Sequence, residues 1–344
     1  MKTRRPTPKK LPSGSWRCQI TVDGRRISVT EETPEVAQAR AMAIQAGLLE
    51  EKEKQKALTL EQAIDGYIAA RSEVLSPSTV RGYEFIKRKR FRSLMKQNIH
   101  TITKRDMQAA INRETQTGAS PTTIAKAYGL VRPALKMYGI DVTGMKLPQQ
   151  IKKRRAYLQR EEIGRLIEAA RGDRCEVPIL LALWLGLRRS EIMGLHWDCV
   201  DFDRGEIVIR RTVVMDKDNK FVEKAGAKNE SSQRRISCPD YILDKLRALQ
   251  KGRTSGPCFR MDPDTIREHI HKLCRENGIT DTTTHGLRHT NAAVMRYVGV
   301  SDAHAMARGG WTEERTYKGL YSYVFEAAGK SEDDLVNEFF QAKT

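Results

Sequence analysis

The sequence predicts a multidomain protein, mainly α-helical with small β elements. Three observations carry this expectation. A chain of 344 residues is long enough for two or three separate cores. Its apolar pattern alternates near the N-terminus and changes to helical spacing from Leu60 onward. Helix-start signals, Ser or Thr followed by Pro or by an acidic first turn, then recur along the chain, and no internal repeat or low-complexity tract interrupts them.

The first segment, residues 1–57, opens with Trp16, Cys18, Ile20 and Val22 on one strand face and Arg17, Gln19 and Thr21 on the other. Asp23-Gly24 is the signature of a tight hairpin turn, after which Arg25-Arg26-Ile27-Ser28-Val29 reads as the return strand. Thr33 followed by Pro34 starts a helix expected to run towards Lys56. The result is a small sheet crossed by one helix, with arginine, including Arg17 and Arg25, on a strand face suited to a DNA groove.

In the second segment, residues 58–148, Leu60, Ala63, Ile64, Tyr67 and Ile68 share one helical stripe. Ser76-Pro77, Thr103 and Ser120-Pro121 mark three further helix starts, so a four-helix bundle is expected. Its second helix ends in Lys87, Arg88, Lys89 and Arg90. A run of charge is often only a solvated face, but in so basic a chain it is also a candidate phosphate contact. Residues 149–155 read as a linker whose Lys152, Lys153, Arg154 and Arg155 would suit a strap along a DNA backbone.

The third segment, residues 156–344, holds the larger core and reads as mixed α and β. LQREEIGRLIEAA begins a helix, and the apolar run Val177 to Leu187 is a buried one. GEIVIRRTVVM, NKFVEK and SQRRISC read as three short strands, before helices return at Pro239, Asp264 and His285. Leu335, Val336, Phe339 and Phe340 form an apolar stripe near the C-terminus, expected to pack on its own domain or on a neighbouring copy.

Lysine and arginine number 61 against 43 acidic residues, a formal charge of +18, so the expected partner is a polyanion. Neither a membrane-spanning run nor the apolar core of a signal peptide is legible, which predicts a protein acting in the cytoplasm and away from membranes. The six cysteines, without any C-x-x-C pair, read as reduced core residues.

The chemistry concentrates in four short stretches: GLRRSE at 186–191, KNESSQRRI at 228–236, HGLR at 285–288 and GGWTEERTYKGLY at 309–321. His285 and His289 also have helical metal-pair spacing, but Gly286 stands where a hydrolytic zinc helix needs its glutamate, and neither metal nor cofactor is expected. Taken together and in this order, the four stretches resemble the tyrosine recombinase family, the site-specific integrases of phages and conjugative transposons. The resemblance implies a small arm-binding domain (1–57), a helical core-binding domain (58–148) and a catalytic domain (156–344). It carries Arg188 to the first catalytic arginine, Lys228 to the turn lysine, His285 and Arg288 to the H-x-x-R pair, Trp311 to a position often held by histidine, and Tyr321 to the nucleophile, with Glu191 in support of Arg188. Tyr317 and Tyr323 compete with Tyr321 for the last role. Indole can donate a hydrogen bond but cannot shuttle a proton, which places acid–base duty on Lys228 and His285.

The residue types suit phosphoryl transfer without a metal. Two guanidiniums can bind the nonbridging oxygens, a tyrosine can attack once it loses its proton, and an ammonium can protonate the leaving 5′-oxygen. The expected function is a DNA recombinase forming a 3′-phosphotyrosyl link. Its partners would be duplex DNA at core and arm-type sites, three further copies in a tetramer, and accessory excision or DNA-bending proteins. The alternative is an inactive relative that regulates by binding DNA, and a metal-dependent nuclease is disfavoured because no carboxylates cluster at suitable spacing.

Overall fold

Three antiparallel strands, β1 (Lys9–Lys10), β2 (Trp16–Val22) and β3 (Arg25–Glu31), form a sheet in that order, in a computed structural model describing residues 5–22, 25–47, 58–150, 157–225, 233–314 and 317. The register pairs Val22 with Arg25, as a two-residue hairpin requires, though Asp23 and Gly24 themselves lie outside the described residues. Cys18, Ile20, Ile27 and Val29 bury one sheet face against Ala37, Ala41 and Ile44 of α1 (Pro34–Gln45). Thr33 caps that helix by accepting from Val36 N–H, with Pro34 in the first turn. The helix ends at Gln45, well before Lys56: the Ala46 N–H turns back to Met42 and Ile44, and Gly47 takes a φ of 71° that no helix continues through. β1 carried no pattern in the sequence, because a two-residue strand shows no alternation.

The chain divides into two compact units, one of Met1–Tyr67, Phe91–Gly118 and Tyr128–Lys146, the other of Ile68–Arg90, Ala119–Ala127 and Leu147–Thr344. Five helices occupy the middle of the sequence: α2 (Leu60–Ala69), α3 (Pro77–Lys89), the short α4 (Arg92–Met95), α5 (Lys104–Gln116) and α6 (Pro121–Lys136). All five residues of the Leu60–Ile68 stripe are buried. Ser76 caps α3, and Thr103 with Asp106 forms a reciprocal capping box on α5, as their positions in the sequence predict. α4 is the addition: too short for periodicity, it is inserted directly after the basic end of α3.

The second unit continues with α7 (Arg160–Ala169), α8 (Glu176–Trp184), α9 (Arg189–Met193), strands β4 (Val200–Asp201), β5 (Glu206–Ile209), β6 (Arg211–Met215), β7 (Phe221–Ala225) and β8 (Arg234–Ser237), and helices α10 (Asp240–Gln250), α11 (Pro263–Glu276), α12 (Thr284–Tyr297) and α13 (Asp302–Gly309). α8 is buried nearly all round, as its unbroken apolar run requires, and its leucines and isoleucine sit at the centre of a core to which α7, β5, β8, α10, α11 and α12 all contribute. The stretch GEIVIRRTVVM is not one strand: β5 joins β4 and β8 in one antiparallel sheet, while β6, among the described residues, pairs with β7 alone. The division falls at Arg210, and β6 is drawn against α9, where a Cβ on Gly194 would stand 2.6 Å from the Arg211 carbonyl oxygen. All six cysteines are unpaired and buried. No described helix is long and apolar enough to cross a membrane.

Candidate active site

After α8 ends at Trp184, Gly186 turns the chain with a φ of 67°, a conformation that favours glycine. The space its side chain would need is taken by Asn291 of α12, whose Oδ1 lies 2.6 Å from the position of a Cβ. Asn291 in turn donates to the carbonyl of Trp184, locking α12 to the end of α8. The turn delivers Arg188 to the N-terminus of α9. There the spacing R-x-x-E acquires a physical reason: Glu191, in the first turn, accepts the Arg188 backbone N–H at 2.9 Å through Oε2 and the Arg188 guanidinium at 2.6 Å through Oε1. The other arm of the Arg188 fork donates to the Gly310 carbonyl at 2.7 Å.

Glu191 is only 2% exposed, and burial by itself would raise its pKa. Hydrogen bonding and charge from Arg234, then the charge of Arg188, outweigh burial and hold the carboxyl at about 2. Arg234 grips both carboxylate oxygens, Nη1 to Oε1 at 3.1 Å and Nη2 to Oε2 at 2.9 Å. Arg234 belongs to none of the catalytic positions that the sequence motifs mark. The signal was there: alternation along QRRIS puts Arg234 and Ile236 on one face of β8, and Ile236 is buried in the core.

Arg288 is 1% exposed, stacks its guanidinium 4.1 Å from the centre of the Trp311 ring, and donates Nη1 to the Gly186 carbonyl. Among the described residues its Nη2 has no hydrogen-bond partner. Burial first, then the charge of Arg188, lowers its pKa to about 9, which leaves it protonated at neutral pH. Trp311 is thus a platform beneath Arg288, backed by Tyr317 at 5.1 Å, with Ala292, Met295 and Ala305 around them. Tyr317 is itself 1% exposed. His285 stands exposed one turn before Arg288, on the helix capped by Thr283, with its ring 4.2 Å from His289 and edge-on to it. Fold and spacing therefore bring together Arg188, Glu191, Arg288 and Trp311. Lys228 and Tyr321, like Lys152 to Arg155 and the apolar stripe near the C-terminus, lie outside the described residues.

Elsewhere, Lys87 pairs with Glu84 at 2.9 Å, while Arg88 and Lys89 are exposed at the end of α3 and Arg90 is half-buried. In the N-terminal sheet the register sets Arg26 opposite Thr21 and Arg25 opposite Val22. Arg26 therefore belongs with Arg17, Gln19 and Ser28 on the polar face, and strand alternation already contained that distinction. His269 pairs with Asp173 at 2.8 Å and His271 with Asp281, so the two histidines face different partners. Asp173, Cys175 and His269 do converge, but the carboxylate is already engaged by His269 and by the Cys175 N–H at the start of α8.

A buried carboxylate braced by guanidiniums, beside a third guanidinium with an N–H unfilled among the described residues, is an arrangement able to hold a phosphate-like anion. Residues 156–326 match the model of the phage integrase family, and the chain belongs to that family, the tyrosine recombinases. A tyrosine recombinase XerC-like protein of Caldanaerobacter subterraneus subsp. tengcongensis is 24% identical over 209 residues, covering 52% of this chain and 53% of its own length. Tyrosine recombinase XerA of Thermococcus kodakarensis is 28% identical over 196 residues, covering 51% and 63%. The chain thus spans about half to three fifths of the length of these curated relatives. Among solved structures, the Tn1549 transposon integrase bound to transposon right end DNA is similar in fold, with a TM-score of 0.64 at 16% identity over 81% of this chain and 99% of that one. A lambda integrase dimer bound to a core site gives 0.56 at 16% identity over 93% and 95%.

Proposed function

We propose that this protein is a site-specific DNA recombinase that cuts and rejoins strands through a 3′-phosphotyrosyl intermediate, to integrate or excise a mobile element. The single observation that carries the reading is that Arg188, braced by Glu191, bonds the Gly310 carbonyl beside the Trp311 on which Arg288 stacks, with an Arg288 Nη2 that has no hydrogen-bond partner among the described residues. A phosphodiester gains negative charge on its nonbridging oxygens as it becomes pentacoordinate. Two fixed guanidiniums stabilise that charge without having to reorganise, and each such donor contributes roughly 3–4 kcal/mol to lowering the barrier.

In this reading Tyr321 attacks phosphorus, and its proton leaves towards exposed His285. Lys228 protonates the departing 5′-oxygen, and Trp311 holds Arg288 in place from below. The phosphodiester energy is kept in the tyrosyl link, so a 5′-hydroxyl from the partner strand reverses the step. Tyr321 is preferred to Tyr317 because Tyr317 is packed against Trp311, away from solvent. The segment 1–57 is assigned to arm-type sites, 58–148 to the core site and 149–155 to a basic strap between that segment and 156–344. The working assembly is a tetramer on two sites, aided by accessory proteins, in the cytoplasm of a bacterial host.

The test is covalent capture. A pool of nicked duplexes with a randomised core is incubated with the protein, and adducts that survive denaturation are recovered and sequenced. Tyr321→Phe is expected to abolish the adduct while changing DNA affinity by less than about threefold, since phosphate contacts supply the affinity. An adduct that persists in Tyr321→Phe would move the nucleophile to another tyrosine. Tight binding with no adduct at all would favour an inactive regulator.

A further inference from the structure

We propose that Arg234 is a positioning residue of the cleavage site: it shares Glu191 with Arg188, so that Arg188 keeps charge to offer a phosphate, and ties this carboxylate to the end of α13. The inference rests on the recombinase reading above and adds to it a residue that does not touch DNA.

The geometry points to this role in three ways. The Arg234 side chain is only 7% exposed, so it is no surface phosphate contact, yet all three of its guanidinium nitrogens are committed. Nη1 and Nη2 hold the two oxygens of Glu191, and Nε donates to the carbonyl of Arg308 at 2.8 Å. A lysine has no such fork. Next, Arg188 and Arg234 each reach from the same carboxylate to a carbonyl in the last turn of α13, Gly310 and Arg308 respectively. Helix-end carbonyls lack intrahelical donors, so these two bonds anchor the turn from which the chain proceeds to Trp311 and on towards Tyr321. Residue 310 is compelled to be glycine partly for this reason: a Cβ there would lie 2.8 Å from Arg234 Nη1.

Charge supplies the third argument. Were Arg188 alone with Glu191, the two would form a neutral, closed pair, and a phosphate would have to compete with a buried carboxylate for its own catalyst. With Arg234 present, Glu191 answers two cations, and the group remains positive towards an incoming anion. Arg288 adds a further positive charge felt by the same centre.

The test compares Arg234→Gln, Arg234→Lys and the double variant Arg234→Gln/Glu191→Gln with wild type, using a nicked duplex recovered in the covalent capture. Single-turnover adduct formation at saturating duplex, duplex affinity and thermal midpoint are measured for each. Arg234→Gln is expected to slow adduct formation by roughly 10²-fold and to change affinity by less than about threefold. Removing the carboxylate as well should restore at least about tenfold of that rate, because no buried charge then competes for Arg188. Arg234→Lys should fall between wild type and Arg234→Gln.

A pH profile separates positioning from mere stability. Arg188, Arg234 and Arg288 are the charged groups described around Glu191, and losing Arg234 raises the Glu191 pKa from about 2. As pH falls through that raised value, Glu191 of the variant becomes neutral and no longer competes for Arg188, so the rate deficit of Arg234→Gln relative to wild type should narrow towards low pH, whereas a merely structural loss would not follow that titration. A wild-type rate in Arg234→Gln, or a double variant as slow as the single one with losses that follow thermal midpoint, would overturn the proposal. Should Arg234→Gln not fold, the double variant and Arg234→Lys carry the same comparison. An absence of adduct from the wild type overturns the recombinase reading, and this proposal with it, whereas adduct from the wild type with indifferent variants removes Arg234 alone.

Discussion

At the scale of one residue, the role proposed for Arg288 opposes stability. Its guanidinium is buried, one of its nitrogens has no partner among the described residues, and its pKa is pushed down, so at neutral pH the folded chain carries a proton that its surroundings disfavour. For a basic group of lowered pKa the sign is a destabilisation below the folded value, at every pH where the arginine is charged. Arg288→Met keeps much of the volume and the contact with Trp311 while removing the charge. It should stabilise the protein by about 1–3 kcal/mol, as for other buried ions replaced by apolar residues, and reduce adduct formation by roughly 10²–10³-fold. Chemical denaturation and single-turnover cleavage of the same variant check both halves, and a destabilised Arg288→Met would show that the cation contributes to the fold rather than being tolerated by it. Glu191 has the opposite sign. With its pKa lowered to about 2, it stabilises the fold fully above the ordinary carboxylate range and loses that contribution as pH falls towards 2.

At the scale of elements, the site is made by the way helices begin and end. Arg188 stands at the start of α9, His285 and Arg288 lie in the first turns of α12, and the carbonyls that receive Arg188 and Arg234 belong to the end of α13. The joint between α8 and α9 is the most demanding of these, because Gly186 combines a positive φ, a side-chain space filled by Asn291 and a carbonyl that accepts from Arg288. Gly186→Ala should therefore cost about 2 kcal/mol or more, the left-handed strain adding to the clash with Asn291. Cleavage should fall further than the loss of folded protein explains. The same substitution at Gly82, a helical position with open space and no positive φ, is the control and should be close to neutral or slightly stabilising. Urea unfolding midpoints for the two variants, read alongside their cleavage rates, decide the matter.

For the whole molecule, the excess of positive charge predicts that DNA binding is dominated by counterion release. If about six to ten phosphates are neutralised, affinity should fall roughly 10³–10⁵-fold between 50 and 200 mM salt, and deleting residues 1–57 should flatten that dependence on DNA carrying arm-type sites. Titrations of both forms across salt concentrations measure this, and identical slopes would deny the N-terminal sheet a phosphate-binding role. Much of the molecule was legible in the sequence because it depends on local chemistry: the strand alternation at Trp16–Val22, the Leu60–Ile68 stripe, the caps at Thr33, Ser76 and Thr103, and the motifs around Arg188, Arg288 and Trp311. These follow from periodicity and from the donors and acceptors a residue offers its near neighbours, which chain order alone determines. The division of GEIVIRRTVVM between two sheets and the short β1 and α4 were decided by partners distant in sequence or by segments too brief for any period, while the early end of α1 comes from the local turn at Ala46 and Gly47 that the Ala-rich run masks. Arg234 is the clearest case. Alternation separates it from its neighbour Arg235, which pairs with Glu206 at the surface, but its partner is not local: only the folded chain brings it to Glu191, 43 positions earlier, and to the end of α13. Local order could specify which residues have the right chemistry, whereas the sharing of one buried carboxylate between two guanidiniums exists only once remote segments have packed and excluded water.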